Sequence, residues 1–345
     1  MMVTLGTDAH KMSPTMVAID DVGAEIASVT VAATPEGHLR LVKWAARWEQ
    51  RRWAIEDCRQ LSRRLEADLL GVGESVVRVP PKMMAGVRRS ARTRGKSDPI
   101  DALAVARAAL REPDLPVAQL DGPSRELRLL VDYRESLVKD RTAAQNRLRW
   151  RLHELEPGYD PPAGSLNRYK TLDEIEQLLT SHNSMVAELG RREVARIREL
   201  TREANQLERD IGKRVVELVP SLLEIPGCGG LTAAKLVGEA ADITRFKNRD
   251  AYAMWAGTAP IPVWSANNQR FRLNRGGNRQ TNAAIHRIAI TQIRIHPDAQ
   301  AFIKRRLETG STKREALRLL KRKLANVVYR TLLNDVQQPA LADAA

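Results

Sequence analysis

Val3-Thr4-Leu5-Gly6, Thr15-Met16-Val17-Ala18-Ile19 and Ile26-Ala27-Ser28-Val29-Thr30-Val31 are rich in β-branched residues and bounded by polar or turn residues, so they read as three consecutive strands. The first runs into Asp8, and the second ends at the turn Asp20-Asp21-Val22-Gly23. Outward from this meander the pattern changes. Leu39, Leu41, Val42, Ala45 and Trp48 form the apolar stripe of a helix over 36–50. Trp53-Ala54-Ile55 is a fourth strand ending at Glu56, Cys58 to Leu70 is helical, and Val76-Val77-Arg78-Val79 is a fifth strand closed by Pro80-Pro81. The order β-β-β-α-β-α-β predicts an α/β region with a mixed sheet and flanking helices.

The 345 residues suffice for two or three domains, and 43% apolar residues allow a real core. Only 4% are aromatic, which disfavours a large β-sandwich or an aromatic stacking platform. Two cysteines, Cys58 and Cys228, exclude a disulfide scaffold and a cysteine-based zinc cluster. There is no apolar run long enough for a membrane span and no basic-then-apolar leader, so the expected location is the cytoplasm. The net charge of +14 points to a polyanionic partner. Between Arg270 and Arg330 sixteen Lys and Arg face only Asp298, Glu308 and Glu315, leaving about +1 for the rest of the chain. Such a concentration marks a docking face, the competing reading being a solvated basic surface.

Residues 82–97 are basic and Gly-punctuated and read as a loop. A helix then starts at Ser97-Asp98-Pro99-Ile100-Asp101, with Asp98 as N-cap, Pro99 at the first helical position and Asp101 at the third. From 123 to 218 the pattern is long helices broken between Pro157 and Gly164. Ile197, Leu200, Ala204, Leu207, Ile211, Val215 and Leu218 recur in steps of three and four, a coiled-coil seam. That seam suits self-association or a hairpin within the chain. Residues 219–335 read as mostly helical and 337–345 as a frayed tail.

Asp8 follows the first strand, Glu56 follows the fourth, and Asp98 and Asp101 lie three apart on one helix face. Carboxylates converging on such a frame suit two-metal phosphoryl chemistry, because hard Mg2+ ions take oxygen ligands and two of them stabilise attacking and leaving oxygens together. Helix capping by Asp98 and Asp101, and a strand-end turn at Asp8, are the competing readings. Ser90 to Ser97 is not a phosphate loop, because Ser90 stands where that motif needs Gly. Ile225-Pro226-Gly227-Cys228-Gly229 looks like a helix-hairpin-helix turn, whose Gly227 and Gly229 would let backbone N–H groups approach a phosphate; a plain turn between helices competes. Ser265 sits in a loop near Arg270, Arg272, Arg275 and Arg279. A serine attacking a phosphodiester needs cationic donors around it, although a loop serine is more often a surface residue. His10, His286 and His296 lack metal-ligand spacing.

Together these residues resemble the DEDD-type transposases of bacterial insertion sequences, the IS-one-ten family, described as RNA-guided serine recombinases. Gly6-Thr7-Asp8-Ala9-His10-Lys11 resembles the family's opening Gly-x-Asp-x-x-Lys, Ile55-Glu56 its second acid, and Gly95-Lys96-Ser97-Asp98-Pro99-Ile100-Asp101-Ala102 its Gly-Lys-(Ser/Thr)-Asp-x-x-Asp-Ala block. Ile225-Pro226-Gly227 and Ala256-Gly257 through Gly277-Asn278 resemble the family's C-terminal domain. The resemblance implies a RuvC-like, ribonuclease-H-type catalytic domain over 1–122, long helices with a coiled coil over 123–218, a mainly helical transposase domain over 219–336, and a disordered tail over 337–345. It implies Mg2+ held by Asp8, Glu56, Asp98 and Asp101, two ions with Mn2+ as a substitute, and Ser265 as the nucleophile of a transient phosphoserine link. Donor and target duplex DNA, a structured guide RNA and a homotetramer are the implied partners, with Lys96, Gly227, Gly229, Arg270, Arg272, Arg275 and Arg279 touching nucleic acid. Two departures stand out: Ala266 where the family usually has Gly after the serine, and Thr7 where an apolar residue is commoner.

The reading is a DNA recombinase that excises and inserts its own element. Two alternatives remain open: a RuvC-type structure-selective nuclease using metal-activated water, with Ser265 incidental, and a non-catalytic nucleic-acid-binding protein.

Overall fold

A computed structural model describes residues 1–57, 61–81, 83–84, 97–112, 115–119, 122–265 and 268–342. The chain forms two compact units, Met1–Asp121 and Gly122–Ala345. The expected contacts of Lys96, the Cys58 region and most of the 82–97 loop lie outside the described residues, as do Ala266 and residues 343–345.

In the first unit, β1 (Val3–Asp8), β2 (Thr15–Ile19) and β3 (Glu25–Thr30) form the expected meander, followed by α1 (Pro35–Ala45), β4 (Arg51–Glu56), α2 (Arg63–Gly71), β5 (Val76–Val79) and α3 (Asp98–Arg111). The sheet order is β3-β2-β1-β4-β5. β1 pairs antiparallel with β2 and β2 with β3, whereas β4 runs parallel to β1 and β5 parallel to β4. A three-stranded meander extended by parallel strands through helical crossovers is the RuvC-like, ribonuclease-H-type mixed sheet. α1 stops at Ala45 rather than at 50, because the chain must reverse through Trp48 to enter β4 beside β1.

Strand alternation divides the core into two layers. Val3, Leu5, Trp53 and Ile55 are buried with Leu41 of α1 and Leu65 and Leu69 of α2. Val17 and Ile19 pack on Ala102 and Ala106 of α3, and Ala54 joins Val105 and Ala109. Gly6 is what lets α3 come so close. A Cβ there would lie 2.3 Å from the Ala102 carbonyl oxygen and 2.4 Å from the Ala106 nitrogen, and these are backbone atoms that cannot swing aside. Gly6→Ala should therefore destabilise the first unit by about 3 kcal/mol, the upper end for overpacking, measured as a lower urea midpoint. Thr7 is fully buried on the opposite layer, and its hydroxyl makes no hydrogen bond among the described residues.

The second unit opens with α4 (Pro123–Leu155), α5 (Tyr169–Thr180) and α6 (Met185–Leu218). The seam read from the sequence closes inside this chain. Leu200, Ala204 and Leu207 pack on Leu137 and Val138 of α4. Ile211 and Val215 meet Leu127 and Val131, and Val194 and Ile197 meet Ala144 and Leu148. The coiled coil is thus a hairpin of α4 and α6, and α5 fills its open end with Leu172, Ile175 and Leu179. The remaining elements are α7 (Gly230–Ala240), α8 (Arg249–Trp255), β6 (Ile261–Ser265), β7 (Asn268–Arg272), α9 (Arg279–Ile295), α10 (Pro297–Glu308) and α11 (Lys313–Ala342). α11 continues through residues 337–342, where the composition suggested a frayed end. No described helix is long and apolar enough to cross a membrane.

Candidate functional site

Each unit carries one half of the expected chemistry. In the first unit, Gly6 pairs with Ala54 and Thr7 with Ile55 across β1 and β4, so Asp8 and Glu56 stand level at the ends of adjacent parallel strands. Both share the parity of Gly6 and Ala54, the sheet face that α3 covers. The first turn of α3 carries Asp98 and Asp101, and Ala102, next to Asp101, is in contact distance of the Gly6 backbone. The register and the packing of α3 therefore place all four acids at one edge of one face. Asp101 is buried, with 6% exposure, while Asp8, Glu56 and Asp98 are half-buried.

The helix start differs by one residue from the sequence reading. Ser97 is the extended N-cap residue and Asp98 the first helical residue, so Asp98 does not hold the capping position. The Ser97 side chain makes no capping hydrogen bond, and the Asp101 N–H donates to the Ser97 carbonyl oxygen at 3.1 Å. Among the described residues no three His, Cys, Asp or Glu side chains already form an ion cage. The donor set has the chemistry a hard divalent cation prefers, since all four groups are carboxylates.

In the second unit, the Ser265 segment is a β-hairpin rather than a loop. Ser265 closes β6 and pairs with Asn268, Val263 pairs with Arg270, and Ile261 pairs with Arg272. Directly opposed residues on alternate rungs share a face, so the register sets Ser265, Arg270 and Arg272 on one face of the ribbon. The side chains of Ser265 and Arg270 lie outside the described residues. Arg272, Arg275 and Arg279 are exposed, Arg279 as the first residue of α9. Trp264, beside Ser265, is 67% exposed.

The Ile225 to Gly229 turn is built for packing. Gly227 has φ +84°, and a Cβ there would meet the Thr291 Cβ at 2.9 Å. The Gln292 side-chain N–H donates to the Pro226 carbonyl oxygen at 2.9 Å, tying the turn to α9. Burial pushes the Cys228 thiol up to about 12, so this cysteine stays neutral and unreactive. Gly229 is the N-cap of α7, with open space beside its α-carbon.

Sequence reasoning missed an asparagine frame behind the hairpin. The Asn274 side-chain N–H donates to the Met254 carbonyl oxygen at 2.8 Å, and that of Asn278 to Glu239 Oε2 at 2.7 Å. Asn282 donates to the carbonyl oxygens of Ala256 and Gly257 at 3.0 and 2.9 Å. The spacing of four between these asparagines was the available signal.

Residues 5–157 match a family model described as a DEDD transposase, and residues 219–304 match one described as transposase of the IS116/IS110/IS902 family. The chain is 26% identical to an uncharacterized 44.8 kDa protein of insertion element IS116 from Streptomyces clavuligerus, over 96% of this chain and 94% of that protein. It is 25% identical to an uncharacterized 42 kDa protein of insertion element IS900 from Mycobacterium paratuberculosis, over 99% of each. Among solved structures, Thermus thermophilus RuvC in complex with a Holliday junction substrate matches 32% of this chain and 94% of its own, at 17% identity and TM-score 0.26. At that score the match adds nothing to what the strand order already shows.

Proposed function

Because this chain belongs to the IS116/IS110/IS902 family of insertion-sequence transposases, we propose that it is the strand-exchange enzyme of its element, working through Ser265 and guided by an RNA from the element's flank. The observation that carries the reading is the alignment of Asp8 and Glu56 on adjacent strands beneath the first turn of α3, which brings Asp98 and Asp101 to the same edge.

In this reading Asp8, Glu56, Asp98 and Asp101 would hold Mg2+, which supplies charge stabilisation to the reacting phosphate when bound. The Ser265 hydroxyl attacks the DNA phosphorus and loses its proton. The bond to one deoxyribose oxygen breaks, and that oxygen leaves as a hydroxyl. One phosphoester replaces another, so no nucleotide hydrolysis is needed. Arg270, on the same ribbon face, stabilises the charge that builds on the phosphoryl oxygens. The acids of one protomer serve the serine of another within a tetramer. The α4–α6 seam is already filled in the chain, so such an assembly uses other surfaces.

Sequence choice falls to RNA pairing, and the basic stretch holds backbones. In cells given the protein, the element with its flanks and a target plasmid, recombinant junctions should form, and deleting the transcribed flank should abolish them. Junctions that persist at full yield without the flank would contradict RNA guidance.

A further inference from the structure

A cleft of about 730 Å³ opens in the second unit between the base of the β6–β7 hairpin and α11. The strand-exchange reading gives its basic residues only general backbone contacts and assigns the cleft itself no ligand. Its lining includes the apolar Ala259, Pro260, Leu273 and Leu319. It also includes the cationic Arg272, Arg318 and Lys321. The two remaining charges are already engaged. Arg322 pairs with Asp250. Glu315 accepts from the Thr312 N–H and hydroxyl, both at 2.8 Å, capping the start of α11. Arg272, Arg318 and Lys321 have no carboxylate partner among the described residues.

Lys321 is the informative one. Its ammonium donates to the neutral Asn282 Oδ1 at 2.5 Å, so the asparagine frame fixes a half-buried cation without neutralising it. Burial, and then the nearby Arg318, hold its pKa below the usual lysine range. Burial and Lys321 do the same to His286. Arg272, Arg318 and Lys321 outnumber the single Glu315 carboxylate in the recess, which leaves a net positive potential that an anion would relieve. The floor is rigid: Gly257 has φ +67°, and a Cβ on Gly277 would lie 2.2 Å from the Gly257 nitrogen.

We infer that this cleft takes a nucleoside phosphate, namely a nucleotide of the DNA strand presented to the hairpin, with its phosphate on Arg272, Arg318 and Lys321 and its base against Leu273, Leu319 and Pro260. The volume lies within the range of small-ligand pockets, and a lining with both apolar and cationic side chains offers contacts to the base and to the phosphate of a nucleotide. Arg272 closes β7 four residues beyond Asn268, the register partner of Ser265. At about 3.3 Å per residue the cleft mouth is therefore on the order of 13 Å from the nucleophile. A strand stacked at about 3.4 Å per nucleotide covers that distance in about four nucleotides. The inference rests on the strand-exchange reading only for its choice of strand.

The test is binding of a fluorescein-labelled 12-nucleotide single-stranded DNA to the full-length protein. The Arg272→Ala/Arg318→Ala pair is compared with Lys304→Ala/Arg314→Ala, an exposed pair outside the cleft that removes equal charge. All four side chains are exposed, so both variants should fold. The cleft pair should bind at least about tenfold more weakly and lose about 1.4 from the slope of log affinity against log salt, the value for two phosphate contacts on a single strand. The control pair should stay within about twofold. Competition by dAMP separates the sources: displacement of the oligonucleotide means that a free nucleotide also satisfies the cleft, and no displacement means that the strand is required. Equal losses from both pairs would overturn the proposal. Ser265→Ala should bind like wild type, so a cleft without strand exchange, or strand exchange without a cleft, would each be visible.

Discussion

Asp98→Asn protein should fold and bind DNA but cleave it at least about 10²-fold more slowly, the scale of losing one group that stabilises transition-state charge. Asp98 is the first residue of α3 with Ser97 as the cap, so Asn does not remove the capping residue. The loss of a negative charge near the helix N-terminus costs only about 0.3–1 kcal/mol. That is about 1–4 °C in melting temperature for a domain of this size. If Asp98 served only the helix, activity would follow stability and fall slightly. If it binds Mg2+, the amide removes an anionic ligand and activity collapses while the melting curve barely moves. Cleavage that stays within twofold of wild type would remove Asp98 from the metal site.

Ser265→Ala should abolish recombinant junctions at any Mg2+ concentration. Ser265 ends β6, and its backbone pairing with Asn268 does not involve the hydroxyl, so Ala preserves the ribbon. Only the nucleophile is lost, and no other group in the reading can form the covalent link. Metal-activated water would survive this substitution, so continued hydrolysis at the wild-type rate would favour the RuvC-type nuclease.

The meander and both parallel strands were legible because strand alternation and turn residues are local signals. β2 and β5 match the sequence reading residue for residue, while β1 runs on to Asp8 and β4 spans Arg51 to Glu56. The positions of Asp8 and Glu56 at strand ends, and of Asp98 and Asp101 in the first turn of a helix, were legible for the same reason, since local residues mark those boundaries. The α3 cap was read one residue late, because Asp98 and Ser97 are both good caps and only the extended backbone of Ser97 decides between them. The hairpin was read as loop. Pro260 and Pro262 break the strand pattern, and β6 and β7 are separated by Ala266-Asn267, a pair without the glycine that signals a tight hairpin. The sequence reading has no place for α5, because it sets a single Pro157–Gly164 break between the two long helices. The basic cleft was illegible for a deeper reason: Asn282 and Lys321 are 39 residues apart, and only the packing of α9 and α11 brings them together.

The central claim is a covalent bond between Ser265 and DNA. The most direct measurement uses the purified protein with its guide RNA, Mg2+ and a target duplex nicked beside the cleavage site, so that religation is blocked. The products are denatured, digested and sequenced by mass spectrometry. The account predicts a nucleotide attached to the peptide bearing Ser265, absent from the Ser265→Ala and Asp98→Asn proteins. Cleaved DNA with free ends and no protein-linked nucleotide would contradict it.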